Sequence, residues 1–215
     1  MLGLSVSTLL IRVITLVIAF TVHEFSHAWT ATQFGDPTPK NNGRLTLNPL
    51  SHLDMFGSLL LLVAGFGWAK PVPVNPYILK RRSNSAYMWV SVAGPLSNLA
   101  LAILASIPVR LGLIHYQIST SKIIPTAYEF VIQFIIINLA LMLFNLIPLA
   151  PLDGEKVLEF FLPYNLQSGW EKIKQYGPII LLVLVFVLPM IGIDIFSMVL
   201  TPALSGLLRI LVGGS

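Results

Sequence analysis

The chain has 215 residues, of which 55% are hydrophobic and only 10% are charged, and its mean hydropathy is +0.82. Soluble domains carry about 25% charged residues, so this composition predicts an integral, multi-pass membrane protein with the lipid bilayer as a partner. The net charge of +4 comes without the dense Lys/Arg patch that nucleic-acid binding needs, and we expect no nucleic-acid partner. The absence of cysteine excludes disulfides and thiolate metal ligands.

The first apolar segment runs from about Leu4 to Phe34, which exceeds the roughly 20 residues that span a bilayer. It has no basic stretch at its start and no small-residue cleavage site, so we interpret it as a retained helix rather than a signal peptide. Its second half contains the sequence HEFSH. Residues i and i+4 share a helix face, so His23 and His27 can direct two imidazoles at one metal ion. Glu24 is offset by about 100°, where it can hold a water molecule beside the metal.

The alternative for these three residues is a solvated helix end. An ionisable side chain inside a membrane segment favours a functional site, and we therefore interpret HEFSH as a metal site.

The loop after the first segment begins with a turn cluster, Gly35 to Pro39. The alternating run Arg44-Leu45-Thr46-Leu47-Asn48 follows Asn-Asn-Gly and predicts a short strand of a β-hairpin. The apolar run from Met55 to Ala69 is too short for a full crossing, and its length is typical of a re-entrant or interfacial piece.

Two later segments, from about Ala86 to Leu113 and from about Ala127 to Leu149, predict further membrane helices. Residues 155–175 mix charged and aromatic side chains, which predicts an interfacial stretch. The last apolar block, residues 176–208, predicts either one broken crossing or two half-crossings. We expect one all-α polytopic membrane domain over residues 1–215, with its core at about 4–160 and additional helices at about 176–208.

A third metal ligand is needed, because a catalytic zinc ion typically has three protein ligands and a water molecule. Asp153 closes the third membrane segment on a stretch broken by prolines. Irregular backbone at membrane depth is tolerated when it lines a protein cavity. If Asp153 joins His23 and His27, the exit ends of the first and third segments share one side of the membrane. Met55–Ala69 then cannot cross completely.

The distribution of charge predicts on which side of the membrane these helix ends lie. The loop from Gly35 to Ser85 carries a marked excess of basic residues, whereas the loop from Leu111 to Thr126 carries only Lys122. The basic residues of the first loop are Lys40, Arg44, Lys70, Lys80, Arg81 and Arg82. The positive-inside rule therefore places the metal site towards the cytoplasmic side and the N-terminus outside.

Four motifs occur in order along the chain: HEFSH, GRLTLNPLSHLD, AGPLSN and NLIPLAPLDGEKV. Together they resemble the site-2 protease family of intramembrane zinc metalloproteases, and more narrowly its compact bacterial-type members without PDZ or CBS domains. The resemblance covers roughly residues 15–160. The chain departs from the family at LDGEKV, where members often carry a second glycine and an arginine after LDG.

The resemblance implies that His23, His27 and Asp153 bind one zinc ion per chain and that Glu24 is the catalytic carboxylate. It implies an endopeptidase of regulated intramembrane proteolysis in the bacterial cell membrane, whose partners are transmembrane segments of membrane-protein substrates. It also implies a polar role near the site for Asn98.

The oxyanion of such a reaction needs a neutral hydrogen-bond donor. We expect Asn98 first and Asn145 second, and a structural hydrogen bond between helices is the alternative for each. Substrate is expected to pair with an extended edge at Arg44–Asn48 or Val72–Asn75 by β-addition.

Other polar residues of the loops receive structural interpretations. His52 either approaches the metal or ties its loop to a helix end, and we prefer the second interpretation. Asp54 is expected to cap the Met55 segment, and His115 is expected at the surface.

Two other functions remain open at this point. A membrane zinc transporter also needs buried histidines and an aspartate, but it does not need Glu24 beside a ligand. A non-catalytic metal-binding membrane protein could keep all four residues.

Overall fold

The computed structural model describes residues 5–54, 56, 57, 67–117, 121 and 123–213. Within these ranges every regular element is a helix, apart from one isolated β-bridge. The α-helices are α1 (Val6–Gln33), α2 (Thr38–Asn41), α3 (Pro76–Arg82), α4 (Ala86–Arg110), α5 (Ala127–Asn145), α6 (Asp153–Phe161), α7 (Tyr164–Lys174), α8 (Gly177–Leu182), α9 (Leu188–Met190) and α10 (Ile195–Val212). A 3-10 turn at Pro49–Ser51 and a π-helical turn at Val183–Val187 complete the described helical elements.

Three helices, α1, α4 and α5, are each long and apolar enough to cross a membrane. They coincide with the three segments predicted from the sequence, and they indicate a polytopic membrane protein. Helix α7 and the run Gly177–Met190 form a bent apolar pair with an angle of 62° between them.

Local sequence signals fix the helix ends. The Ser5 hydroxyl accepts the Thr8 N–H at the start of α1. A capping box begins α5, in which Thr126 accepts the Glu129 N–H and the Glu129 carboxylate accepts the Thr126 N–H. Each such cap satisfies backbone donors that the first helical turn leaves free.

Small side chains bring the membrane helices together. Ala19, Ala28 and Ala31 of α1 are fully buried, as expected where helices approach closely in a medium that gives little hydrophobic driving force. Helices α4 and α5 share a core cluster of Ala102, Ile135, Leu139 and Met142. Leucines of α10 pack on the outside of that cluster: Leu204, Leu207, Leu208 and Leu211.

The strand and β-hairpin predicted at Arg44–Asn48 are wrong. Residues 44–48 form an irregular loop, because local side-chain acceptors bend its backbone. The Thr46 hydroxyl accepts the Asn48 N–H, and the Asn48 amide oxygen accepts the Leu50 N–H. Such bonds compete with strand pairing and outweighed the apolar–polar alternation.

Most of the run from Met55 to Ala69 lies outside the described residues, so its re-entrant or interfacial character stays a prediction. Its flanks lie together, because Leu53 and Ala69 form an isolated antiparallel bridge. The Lys70 N–H also donates to the His52 carbonyl at 2.8 Å. The chain therefore returns at Ala69 to the place it left at Leu53.

Acidic side chains at two places anchor the elements around the site. Asp36, which is fully buried, accepts the Thr38 N–H at 3.0 Å and the Asn75 N–H at 2.6 Å, and so ties the end of α1 to the start of α3. The Lys174 ammonium lies 2.9 Å from carboxylate oxygens of both Glu155 and Glu159. That cluster holds α7 against α6.

Candidate metal centre

Three predicted ligands meet at one point. His23 and His27 on α1 are 6% and 8% exposed, and their Nε2 atoms lie 3.2 Å and 3.3 Å from Oδ2 of Asp153. One ligand atom from each of the three residues lies within 4.8 Å of the others. Two atoms each bound at about 2.0–2.1 Å to a tetrahedral zinc ion are separated by about 3.3 Å, so the spacing fits such an ion.

The opposite nitrogen of each imidazole has its own acceptor. Nδ1 of His27 lies 2.7 Å from the Val90 carbonyl oxygen, and Nδ1 of His23 lies 2.6 Å from Oδ1 of Asn98. An oxygen of this kind can only accept, so each Nδ1 carries the proton and each Nε2 keeps its lone pair for a metal. Both acceptors come from α4.

Asn98 is itself held by a buried chain of amides. Its Nδ2 donates to Oδ1 of Asn138 at 3.0 Å, and Nδ2 of Asn138 donates to the Phe134 carbonyl at 2.9 Å. Both asparagines are fully buried. The placement favours an orienting role for Asn98, behind His23, over the predicted donation to an oxyanion. Sequence reasoning missed Asn138, although an amide inside the apolar helix α5 was the available signal.

Gly94 leaves the space that a metal would need. A Cβ built on this residue would lie less than 3.0 Å from the Nε2 atoms of both His23 and His27, closer than real Cβ atoms approach. Gly94 lies on α4 one turn after Val90. The same helix therefore supplies the acceptors behind the imidazoles and the open volume in front of them.

Asp153 is the first residue of α6, after an irregular stretch at 146–152. The N-terminus of a helix favours an anion at this position, and the ionised carboxylate is the form that ligates a metal. A Cβ at Gly154 would collide with the backbone carbonyls of Leu146 and Ile147, so this glycine lets α6 begin directly against the end of α5.

Glu24 is 8% exposed, and its Oε2 accepts the Val72 N–H at 3.0 Å. The non-helical segment from Lys70 to Asn75 therefore passes beside the predicted catalytic carboxylate. Nothing in the HEFSH spacing indicated this backbone contact.

The remaining predicted residues lie in the following places. Asn145 is half-buried at the end of α5 and donates to the Leu141 carbonyl. His52 is fully buried, and its Nε2 lies 2.7 Å from the Thr46 carbonyl oxygen, so this contact is within the loop and not with a helix end. Asp54 accepts the Gly57 N–H, as expected of a cap, and His115 is exposed.

The five residues predicted to bind substrate have contrasting environments. Leu47 is 59% exposed, whereas Arg44 is 5% exposed. Thr46 and Asn48 are engaged in the loop's own hydrogen bonds, and Leu45 is half-buried.

Comparison with known proteins supports the resemblance. A Bacillus subtilis (strain 168) protein with the name "Putative zinc metalloprotease YwhC" is 47% identical over 180 residues, which are 83% of this chain and 80% of that protein. The chain belongs to the site-2 protease family. Proteins named "Putative zinc metalloprotease Rip2" from Mycolicibacterium smegmatis and Mycobacterium tuberculosis (strain H37Rv) are 33% and 32% identical over 76% and 78% of this chain, and the matches span 61% and 63% of those proteins. No protein-family model matches the chain, and no solved structure matches it significantly.

Gly94→Ala should abolish metal binding while leaving the fold intact. Alanine is about 1 kcal/mol better than glycine inside a helix, so a loss of zinc would reflect the filled space at the imidazoles and not a weaker helix. Zinc per chain, measured by elemental analysis of the purified protein, is expected to fall to background. Gly206→Ala on α10 is the matched control, because a Cβ there meets nothing within 4 Å, and it should keep its zinc. A full zinc complement in Gly94→Ala would contradict this account of the site.

Asn98→Leu should lower zinc affinity by about 10–100-fold, the usual effect of losing a hydrogen-bond partner behind a metal-bound histidine. It also leaves Oδ1 of Asn138 without its donor, while Nδ2 of Asn138 keeps its bond to the Phe134 carbonyl, and the lost bond costs stability. The double variant Asn98→Leu/Asn138→Leu should recover part of the melting temperature without recovering zinc affinity, as measured by competition with a fluorescent chelator. Recovery of affinity in the double variant would mean that Asn98 acts through packing alone.

Proposed function

We propose that this protein is a zinc-dependent intramembrane endopeptidase that hydrolyses peptide bonds within or next to transmembrane helices of membrane-protein substrates. The observation that supports this best is the convergence of His23, His27 and Asp153 with Glu24 next to a ligand on the same helix. A transporter site has no need of that carboxylate.

His23, His27 and Asp153 would hold the zinc ion, which supplies a Lewis acid and a water molecule with a pKa near 7 when bound. Glu24 takes the proton from the attacking water and returns it to the leaving amine. Its Oε2 is engaged by the Val72 N–H, which leaves Oε1 for the proton. Burial of Glu24 among the helices strengthens these electrostatic effects by excluding bulk water.

The oxyanion donor that we propose is Asn145. The Asn98 side chain already has two hydrogen bonds: its Oδ1 accepts from Nδ1 of His23, and its Nδ2 donates to Asn138. Asn145 uses one of its two amide protons on the Leu141 carbonyl, and its second proton is available to a substrate oxygen.

A substrate helix must unwind before its backbone can enter the site, and its freed polar groups then need partners. Neither candidate edge is a regular strand. We propose that substrate pairs with Val72–Asn75, the second edge predicted from the sequence, because the Val72 N–H donates to Glu24 and places this segment beside that carboxylate.

We further propose that the protein lies in a bacterial cell membrane with its N-terminus outside and its zinc site towards the cytoplasm. The support is the excess of basic residues in the loop between α1 and α4.

Glu24→Gln should abolish cleavage and keep the zinc. Glutamine preserves the size of the side chain but cannot take a proton, so kcat is expected to fall by about 100-fold or more. The measurement is cleavage of a labelled model transmembrane peptide by the purified chain in lipid nanodiscs, with zinc content determined in parallel. Cleavage by Glu24→Gln at the wild-type rate would refute the assigned base. Zinc flux into liposomes in the absence of any cleavage would favour the transporter instead.

The proposed orientation can be tested with single cysteines, because the natural chain has none. Leu50 and Tyr116 are 80% and 72% exposed and lie in the two loops that orientation separates. In intact cells a membrane-impermeant maleimide should label Tyr116→Cys and should label Leu50→Cys only after permeabilisation. The reverse pattern would overturn the topology without affecting the metal site.

A further inference from the structure

The peptide group between Pro71 and Val72 is held from both of its ends. Its N–H, from Val72, donates to Oε2 of Glu24 at 3.0 Å. Its C=O, from Pro71, accepts from Nη2 of Arg44 at 2.9 Å. A guanidinium, one peptide unit and the Glu24 carboxylate therefore form a continuous hydrogen-bonded chain.

The Arg44 side chain is buried, and its hydrogen bonds go to backbone carbonyl groups. It is 5% exposed, and its guanidinium donates to the carbonyl oxygens of Ser51 and Pro71. No carboxylate of the described residues lies within salt-bridge distance of it. A buried charge needs hydrogen-bond partners, and here the partners are carbonyl groups.

We propose that Arg44 is a positioning residue for Glu24, acting through the Pro71–Val72 peptide; its effect on catalysis rests on the proposed function. A cation at the carbonyl end polarises the peptide and makes its N–H a stronger donor. The Val72 N–H then fixes Oε2 of Glu24, which keeps the other carboxylate oxygen directed at the reacting water.

The surrounding contacts make this effect local. The guanidinium contacts the segment at Pro71 and the neighbouring loop at Ser51. At the other end of the segment, the Asn75 N–H donates to Asp36, which does not contact Arg44. Loss of Arg44 should therefore release the Val72 N–H and leave the Asn75 end in place.

Amide hydrogen exchange at Val72 tests the proposal directly. Proline has no N–H, so Val72 is the single exchanging amide between Pro71 and Pro73, and it can be assigned without ambiguity. In Arg44→Met, in nanodiscs and without substrate, exchange at Val72 should accelerate by about tenfold or more, whereas exchange at Asn75 should stay unchanged. Arg44→Lys, which keeps the charge but has no planar fork, should give an intermediate rate. Lys40→Met removes a cation from an exposed site four residues away and should change neither amide.

The coupling with Glu24 is tested by a double-variant cycle. Glu24→Ala removes the acceptor and should also accelerate exchange at Val72. Adding Arg44→Met to Glu24→Ala should then produce a smaller further increase than it does in the wild-type chain, because both side chains act on one hydrogen bond. Equal increases in the two backgrounds would show that Arg44 does not act on Glu24 through this peptide.

Catalysis supplies a second readout. Arg44→Met should keep its zinc and its KM for the model transmembrane peptide but lose kcat by about tenfold or more, with partial rescue in Arg44→Lys. Unchanged exchange at Val72, or equal acceleration at Val72 and Asn75, would overturn the proposal, the second outcome because it would show general loosening of the loop. If the wild-type chain cleaves no peptide but the exchange pattern holds, the positioning of Glu24 stands and the proposed function fails.

Discussion

The two imidazoles on α1 can serve one metal ion because a buried oxygen fixes the proton on each Nδ1. In a water-filled cleft, solvent could supply these acceptors. Inside a membrane bundle the protein must supply them, and α4 does so with the Val90 carbonyl and the Asn98 amide. Helix α4 therefore determines which nitrogen of each histidine would face a metal ion, although it contributes none of the three candidate ligands.

This constraint extends to the packing. For α4 to reach Nδ1 of both histidines, its backbone must pass close to their rings, and Gly94 is where it passes. Gly154 removes a Cβ at the second close approach, between α6 and the end of α5. The buried Asn98 amide in turn requires Asn138 on α5. The candidate ligands, the two glycines and the amide chain therefore depend on one another, and together they hold α1, α4, α5 and α6 in contact.

The sequence predicted which candidate ligands come together better than it predicted their surroundings, for physical reasons. His23 and His27 lie one helical turn apart, and Asp153 stands out as a carboxyl on backbone broken by prolines. The Val90 carbonyl and the Val72 N–H are backbone groups that every residue has, so no pattern of side chains marks them. The strand at 44–48 was wrong because Thr46 and Asn48 satisfy the backbone locally. Arg44 was counted among the basic residues of its loop, and nothing in the sequence distinguishes a buried arginine from an exposed one.

The departure from the family pattern at LDGEKV places Glu155, a buried carboxylate, after Gly154. Glu155 is 1% exposed and lies 2.9 Å from the Lys174 ammonium at the end of α7. Desolvation of the buried Glu155 carboxylate offsets much of its attraction to Lys174 and to Lys156, which lies 3.3 Å away, so these contacts add little to stability. The pair with Lys174 is better suited to fixing how α7 sits on α6. Since Asp153 lies two residues before Glu155, this contact connects α7 to the helix that begins at the third candidate ligand.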